Sequence, residues 1–144
     1  MIYKFYDTCS LLLKVDNLWE EDSTLVLSSI TLEELENIKT SIHKDPDVKF
    51  AARKIIHELD ENIDKYYYMP WHETDLLDFP PSKLFSLTND LKIISCVHKF
   101  IITHPADQVI FVTNDICCKQ IARHSLSIPI ESYQEDDYDY DGYK

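Results

Sequence analysis

Residues 108–124 read QVIFVTNDICCKQIARH, and the fold is decided there. QVIFVT, at 108–113, is an almost unbroken apolar run rich in β-branched residues, the pattern of a central strand covered on both faces in a parallel sheet. Asn114 and Asp115 end it, and ICCKQIARH returns as a helix. A strand passing straight into a helix is part of a βαβ unit, so further strand–helix alternation is expected on either side.

Working outward, IYKFY at 2–6 reads as a short first strand ending at Asp7, followed by Thr8 as N-cap and the helical run SLLLKV. TLVLSSI at 24–30 is the next strand. Thr31 and Glu34 then form a T-x-x-E capping box that opens the helix LEELENIKTSI. Glu34 in that box would reach back to the backbone; as a ligand it would reach across the sheet edge, a role Glu33 could fill instead. Pro46 starts a second helix with Phe50, Ala51, Ile55, Ile56, Leu59 and Ile63 at helical spacing. YYYM at 66–69 is a brief strand, and WHETDLLDFPPSK at 71–83 is an exposed, turn-rich loop. A helix from about Thr88 to Thr103 turns Ile93, Ile94, Val97, Phe100 and Ile101 inward. It carries Asp90 in its first turn, where a carboxylate also complements the helix dipole. SIPIES ends the series as a last short strand. The alternation predicts a three-layer α/β/α sandwich of about five mostly parallel strands. One domain is expected over 1–132, with 133–144 an acidic tail or a linker.

Composition narrows the chemistry. The single glycine, Gly142, excludes a phosphate-binding P-loop and the dinucleotide fingerprint. Six histidines show no HxH or HExxH spacing, which disfavours zinc. Cys9, Cys96, Cys117 and Cys118 include no CxxC pair and read as small apolar fillers in helix–sheet packing, not as a disulfide set or a zinc site. The net charge of −12 argues against a phosphate-backbone partner, but from Glu131 onward six acids and one lysine account for −5 of it. Lys39, Lys44, Lys49, Arg53 and Lys54, with His43 and His57, make a locally basic stretch: a solvated helix face or a guide for phosphate. Tyr66, Tyr67 and Tyr68, with Trp71, offer rings for base stacking, though strand alternation sends at least one tyrosine to the core. The opening MIYKFYDTCSLL has no signal-peptide pattern, and no apolar run could span a bilayer, so a cytoplasmic location is expected.

Asp7, Glu34, Asp90 and Asp115 each stand where a strand pattern stops or a helix pattern starts. In a parallel sheet such positions share the edge beyond the strand carboxyl ends, where ligands bind. Carboxylates gathered there repel one another unless a cation lies between them. Oxygen donors suit a hard divalent ion, Mg²⁺ or Mn²⁺, and a phosphodiester substrate that brings its own oxygens. Thr113 is placed to hydrogen-bond a ligand carboxylate or simply to cap the next helix. Asn114 could donate to a phosphate or only permit the turn. Lys119 could meet substrate or pair with Asp115 across i and i+4, the latter being the commoner arrangement.

With these residues the chain resembles the PIN domain family of metal-dependent ribonucleases. The similarity is carried by Asp7-Thr8-Cys9-Ser10 after the first strand, Glu34-Leu35 after the second, Asp90 after Asn89 at a helix start, and Thr113-Asn114-Asp115 with Lys119 beyond. It runs over nearly the whole chain. LEELENIK, VIFVTNDICCKQIA and the acidic, tyrosine-rich ending are similar to PIN modules that precede PhoH-like ATPase domains. The resemblance implies catalytic and metal-binding roles for Asp7, Glu34, Asp90 and Asp115, supporting roles for Thr113 and Asn114, and substrate contacts for Thr8 and Lys119. It also implies hydrolysis of single-stranded RNA by attack of water, leaving 5′-phosphate and 3′-hydroxyl ends. Expected partners are RNA, a second copy of the chain, and a C-terminal ATPase or helicase domain or partner protein. A structure-specific DNA nuclease would use the same chemistry, and a binding or scaffold module with weak turnover is the rival that the excess negative charge favours. A receiver-type domain is disfavoured because only one acid follows IYKFY, and a haloacid-dehalogenase-type phosphatase because Cys9 stands where its second Asp would be.

Overall fold

The computed structural model describes residues 1–72 and 88–132. The chain runs β1 (Ile2–Tyr6), α1 (Thr8–Leu12), β2 (Thr24–Ser28), α2 (Ser29–Thr40), α3 (Pro46–Glu61), β3 (Tyr66–Met69), α4 (Asn89–Thr103), β4 (Gln108–Val112), α5 (Ile116–Ser125) and β5 (Ile130–Glu131). All four strand pairings are parallel, and the sheet order is β3-β2-β1-β4-β5. The chain therefore builds outward from β1 to β3, then crosses back to the other side of β1 to lay down β4 and β5. The crevice between β1 and β4 is the topological switch point, where open α/β sheets bind ligands.

Alternation along the strands divides the core. Phe5, Val26, Val109 and Phe111 face α4 and α5, packing with Ile93, Ile94, Val97, Phe100 and Ala122. Tyr6, Leu25, Leu27, Ile110 and Val112 face the opposite layer, with Leu11, Leu35, Ala52, Ile55 and Leu59 from α1, α2 and α3. Helices made before the crossover thus cover one face and helices made after it the other, giving the expected three layers. The all-parallel sheet refines the expectation of mostly parallel strands.

Local differences have local causes. The α2 helix begins at Ser29, two residues before Thr31, because the Ser28 hydroxyl caps it by accepting from the Thr31 amide at 3.1 Å. Glu34 therefore sits beyond the first turn, and the capping-box reading gives way. In α3 the buried stripe is Ala52, Ile55 and Leu59. Phe50 and Ile63, two of the apolar residues at helical spacing, are 59% and 70% exposed: Phe50 lies off that stripe and Ile63 lies past the helix end. Tyr66 is the inward tyrosine of β3, partly buried and stacked on Trp19, whereas Tyr67 and Tyr68 are exposed. Cys96 and Cys118 are buried as expected of apolar fillers, but Cys9 and Cys117 are exposed. The expected loop beyond His72 and the tail at 133–144 lie outside the described residues.

Away from the switch point, the turn after α1 is held by charge. Lys14 is 2% exposed and pairs with Glu20, which also accepts from Lys4 at 3.0 Å, Ser23 at 2.9 Å and the Tyr6 hydroxyl at 3.1 Å. Burial would raise the Glu20 carboxyl, but hydrogen bonds from Lys14, Lys4 and Ser23 prevail and bring it from 4.5 down to about 2. A depressed carboxyl stabilises the fold above its unfolded pKa and loses that effect as the pH falls through the folded value. Glu20→Gln is expected to lower the unfolding free energy by about 2 kcal/mol at neutral pH, allowing for solvent screening of a partly exposed carboxylate. In urea titrations across pH, the gap should close between 4.5 and about 2.

Candidate active site

Asp7 and Thr113 are the first residues beyond β1 and β4, so parallel pairing in register brings them side by side at the mouth of the crevice. The Asp7 amide donates to the Val112 carbonyl at 3.1 Å, extending the ladder by one bond. Asp7, not Thr8, caps α1: Oδ1 accepts from the Ser10 amide at 2.9 Å, and Oδ2 accepts from the Thr113 hydroxyl. The carboxylate is 4% exposed, and both oxygens keep a lone pair free for the crevice. Thr113 Oγ1 also accepts from the Asp115 amide at 3.2 Å, and Ser10 Oγ accepts from the Asn114 amide at 3.1 Å. Two hydroxyls thus fix the turn after β4 against the start of α1.

Asp115 is exposed and caps α5, accepting from the Cys118 amide at 2.9 Å. Lys119 turns away from it to Ser132, so the expected Asp115–Lys119 pair is absent among the described contacts. Asp90 lies in the first turn of α4, whose cap is Thr88. Glu34 reaches from α2 to Thr8 Oγ1 with one oxygen and accepts from Asn89 Nδ2 at 2.9 Å with the other. Glu33 is exposed and makes no such contact among the described residues. Glu34 is thus the acid that faces the sheet edge.

The four acids are drawn together unequally. Oxygens of Asp7 and Asp90 and the Cys118 sulfur all lie within 4.8 Å of one another. Asp115 and Glu34 stand further out, but their charges reach Asp90: its carboxyl is raised from 3.8 to about 6, chiefly by burial, then by Asp7, Asp115 and Glu34. Burial likewise pushes the Cys118 thiol far up, with Asp90, Asp7 and Asp115 adding to it and a hydrogen bond with Thr113 opposing. The Cys9 thiol is raised by partial burial, then by Asp7, Glu34 and Asp90, while Lys44 works against them. Among the described residues, none of the salt bridges involves any of the four acids. Crowded, oxygen-rich and without a salt-bridged counter-ion among the described residues, the cluster fits a hard divalent cation.

Three participants escaped the sequence reading as parts of the site: Ser10, Asn89 and Cys118. Ser10 lies one turn from the Asp7 cap, and Cys118 lies three residues past Asp115 on the turn that it caps; helix phase could have pointed to both. Asn89 is recognisable only once α2 and α4 are seen to meet.

A family model described as a PIN domain matches residues 5–134. No curated protein matches the chain. Among solved structures, a domain of a functionally unknown protein from Methanocaldococcus jannaschii DSM 2661 is similar with a TM-score of 0.60 at 11% identity, covering 96% of each chain. VapBC-1 from nontypeable Haemophilus influenzae aligns with a TM-score of 0.49 at 16% identity over 92% of this chain and 98% of that one. Among the described residues no helix is long and apolar enough to cross a membrane. With a family match running nearly from end to end, and a sheet whose switch point brings Asp7, just beyond β1, together with Asp90 of α4, this chain belongs to the PIN domain family, whose members are generally metal-dependent nucleases.

Proposed function

We propose that the chain is an endoribonuclease that hydrolyses phosphodiester bonds of single-stranded RNA with Mg²⁺ or Mn²⁺. The observation that carries this reading is the approach of the Asp7 and Asp90 carboxylates to within 4.8 Å at the switch point, with no lysine or arginine bridging either among the described residues. The choice of RNA follows the family resemblance. Asp7 and Asp90 would hold the cation directly, with Glu34 and Asp115 completing the negative field around it. An ion held there would supply Lewis acidity towards a phosphoryl oxygen and lower the pKa of a water molecule towards neutrality.

Each side chain then has a defined task. Thr113 and the Ser10 amide hold both Asp7 oxygens, so the carboxylate presents fixed lone pairs to the crevice. Thr8 and Asn89 hold Glu34 in the same way, which positions it to accept a proton or orient a water at the rim. Lys44, whose charge is felt at Cys9, would offer a cation to a phosphate of the approaching strand. Water as nucleophile leaves 5′-phosphate and 3′-hydroxyl ends; 2′,3′-cyclic phosphate products would falsify this course.

Asp7→Asn and Asp90→Asn should each reduce Mn²⁺-dependent cleavage of single-stranded RNA by at least ~100-fold with the circular dichroism spectrum unchanged. Equal, metal-independent behaviour of wild type and both variants would make the chain a binding module, and equal cutting of single-stranded DNA would widen the substrate class. Thr113→Val keeps the shape but frees one Asp7 oxygen, and should cost about ten- to a hundredfold in metal affinity by calorimetry.

Asp90 gives a pH signature without metal. Its carboxyl is raised in the fold, so the folded chain holds a proton that the unfolded chain releases between pH 3.8 and about 6, and stability falls as the pH rises through 6. Asp90→Asn removes that penalty. In chelator it should stabilise the protein by about 1–2 kcal/mol near pH 7.5, allowing for solvent screening at a half-buried site. The gain should vanish towards pH 3.8, as followed by thermal melts.

A further inference from the structure

We infer that Cys118 makes the pocket a site for thiophilic divalent cations, Zn²⁺ foremost, which Asp7, Asp90 and the Cys118 sulfur hold more tightly than Mg²⁺ or Mn²⁺ and which thereby block the site. The inference rests on the nuclease reading for the identity of the displaced ion. Its basis is geometric. One oxygen of Asp7, one of Asp90 and Sγ of Cys118 lie within 4.8 Å of one another, and the cysteine is 1% exposed, walled in on its far side by the core. Donors around a four-coordinate zinc are about 3.3–3.8 Å apart, given bonds of about 2.0–2.3 Å, so a shift of about an ångström closes the set.

The donor chemistry decides which ions profit. A hard cation gains little from sulfur and keeps to the two carboxylates, whereas Zn²⁺ and Cd²⁺ gain a strong third bond. On binding, the S–H bond breaks, the sulfur–metal bond forms and the proton leaves to the buffer, with no change of oxidation state. Three protein ligands leave one position open, as in other three-ligand zinc sites. Apolar packing alone accounts for a buried cysteine, but not for its sulfur standing beside two carboxylates that no salt bridge neutralises among the described residues. Cys117, next in sequence, is exposed, and Cys96 lies in the core on the buried face of α4.

Cadmium titrated into the full chain provides the test, because a thiolate–cadmium bond gives a charge-transfer band in the ultraviolet. The band is expected in wild type, Cys9→Ser and Cys117→Ser, weakened in Asp7→Asn, and absent in Cys118→Ala. Zn²⁺ should abolish it by competition, and Zn²⁺ affinity should fall about tenfold or more in Cys118→Ala, further than Mn²⁺ affinity does. Should the alanine variant fail to fold, Cys118→Ser, closer in size, answers the same question. A band that survives loss of Cys118, or no band in wild type, overturns the inference. Manganese binding separates the two readings: Mn²⁺ bound without a Cys118–cadmium band leaves the nuclease reading standing alone, and a band on a chain that binds no Mn²⁺ does the reverse.

Discussion

The hydrogen bond from the Thr113 hydroxyl to the Asp7 carboxylate is the contact on which the site depends. It joins the ends of β1 and β4 at the one place where the sheet reverses its order of construction. It also fixes the orientation of a carboxylate that is almost wholly removed from water. An ionised group so placed would be costly without partners, and the Ser10 amide and Thr113 supply them. The parallel pairing of β1 with β4 aligns these residues, and the two core layers hold that pairing in place.

Around this fixed carboxylate the charge balance is left unfinished. Lysines elsewhere are engaged locally: Lys14 and Lys4 with Glu20, Lys39 with Glu36, Lys54 with Asp16. The four acids at the sheet edge have no such counterpart among the described residues, and the strain of that arrangement falls on Asp90. An acidic protein can still attract a polyanion if its most negative region is the one a cation occupies. The overall charge of −12 is therefore a poor guide to what the crevice binds.

Much of the architecture was legible because buried parallel strands announce themselves. QVIFVT could hardly be anything but an interior strand, and it lies beside IYKFY, which in turn pairs with TLVLS on its other edge. Order and type of elements followed from apolar period, and the acids at element junctions followed from where parallel strands end. Boundaries were harder. Ser28 and Thr31 can both cap a helix; both are buried, and it is the Ser28 hydroxyl, accepting from the Thr31 amide, that does so. That choice moved Glu34 from a backbone role to a site-facing one. Helical spacing located α3, but it does not say which of its apolar residues are buried: the stripe is Ala52, Ile55 and Leu59, and Phe50 lies off it. Cys118 was read correctly as buried, but its proximity to Asp7 depends on a contact that sequence distance conceals.

That distance has a consequence for biogenesis. The Asp7–Thr113 contact closes a loop of 106 residues, and Asp90 arrives on the crossover between them. Such non-local closure carries a large entropic cost that must be met before it is rewarded, so assembly of the crevice belongs to the late stages of folding. A growing polypeptide that has released β1 through β3 but not β4 has most of one helical layer and none of the completed pocket. Whatever chemistry the finished crevice supports is thus withheld until β4 has joined β1.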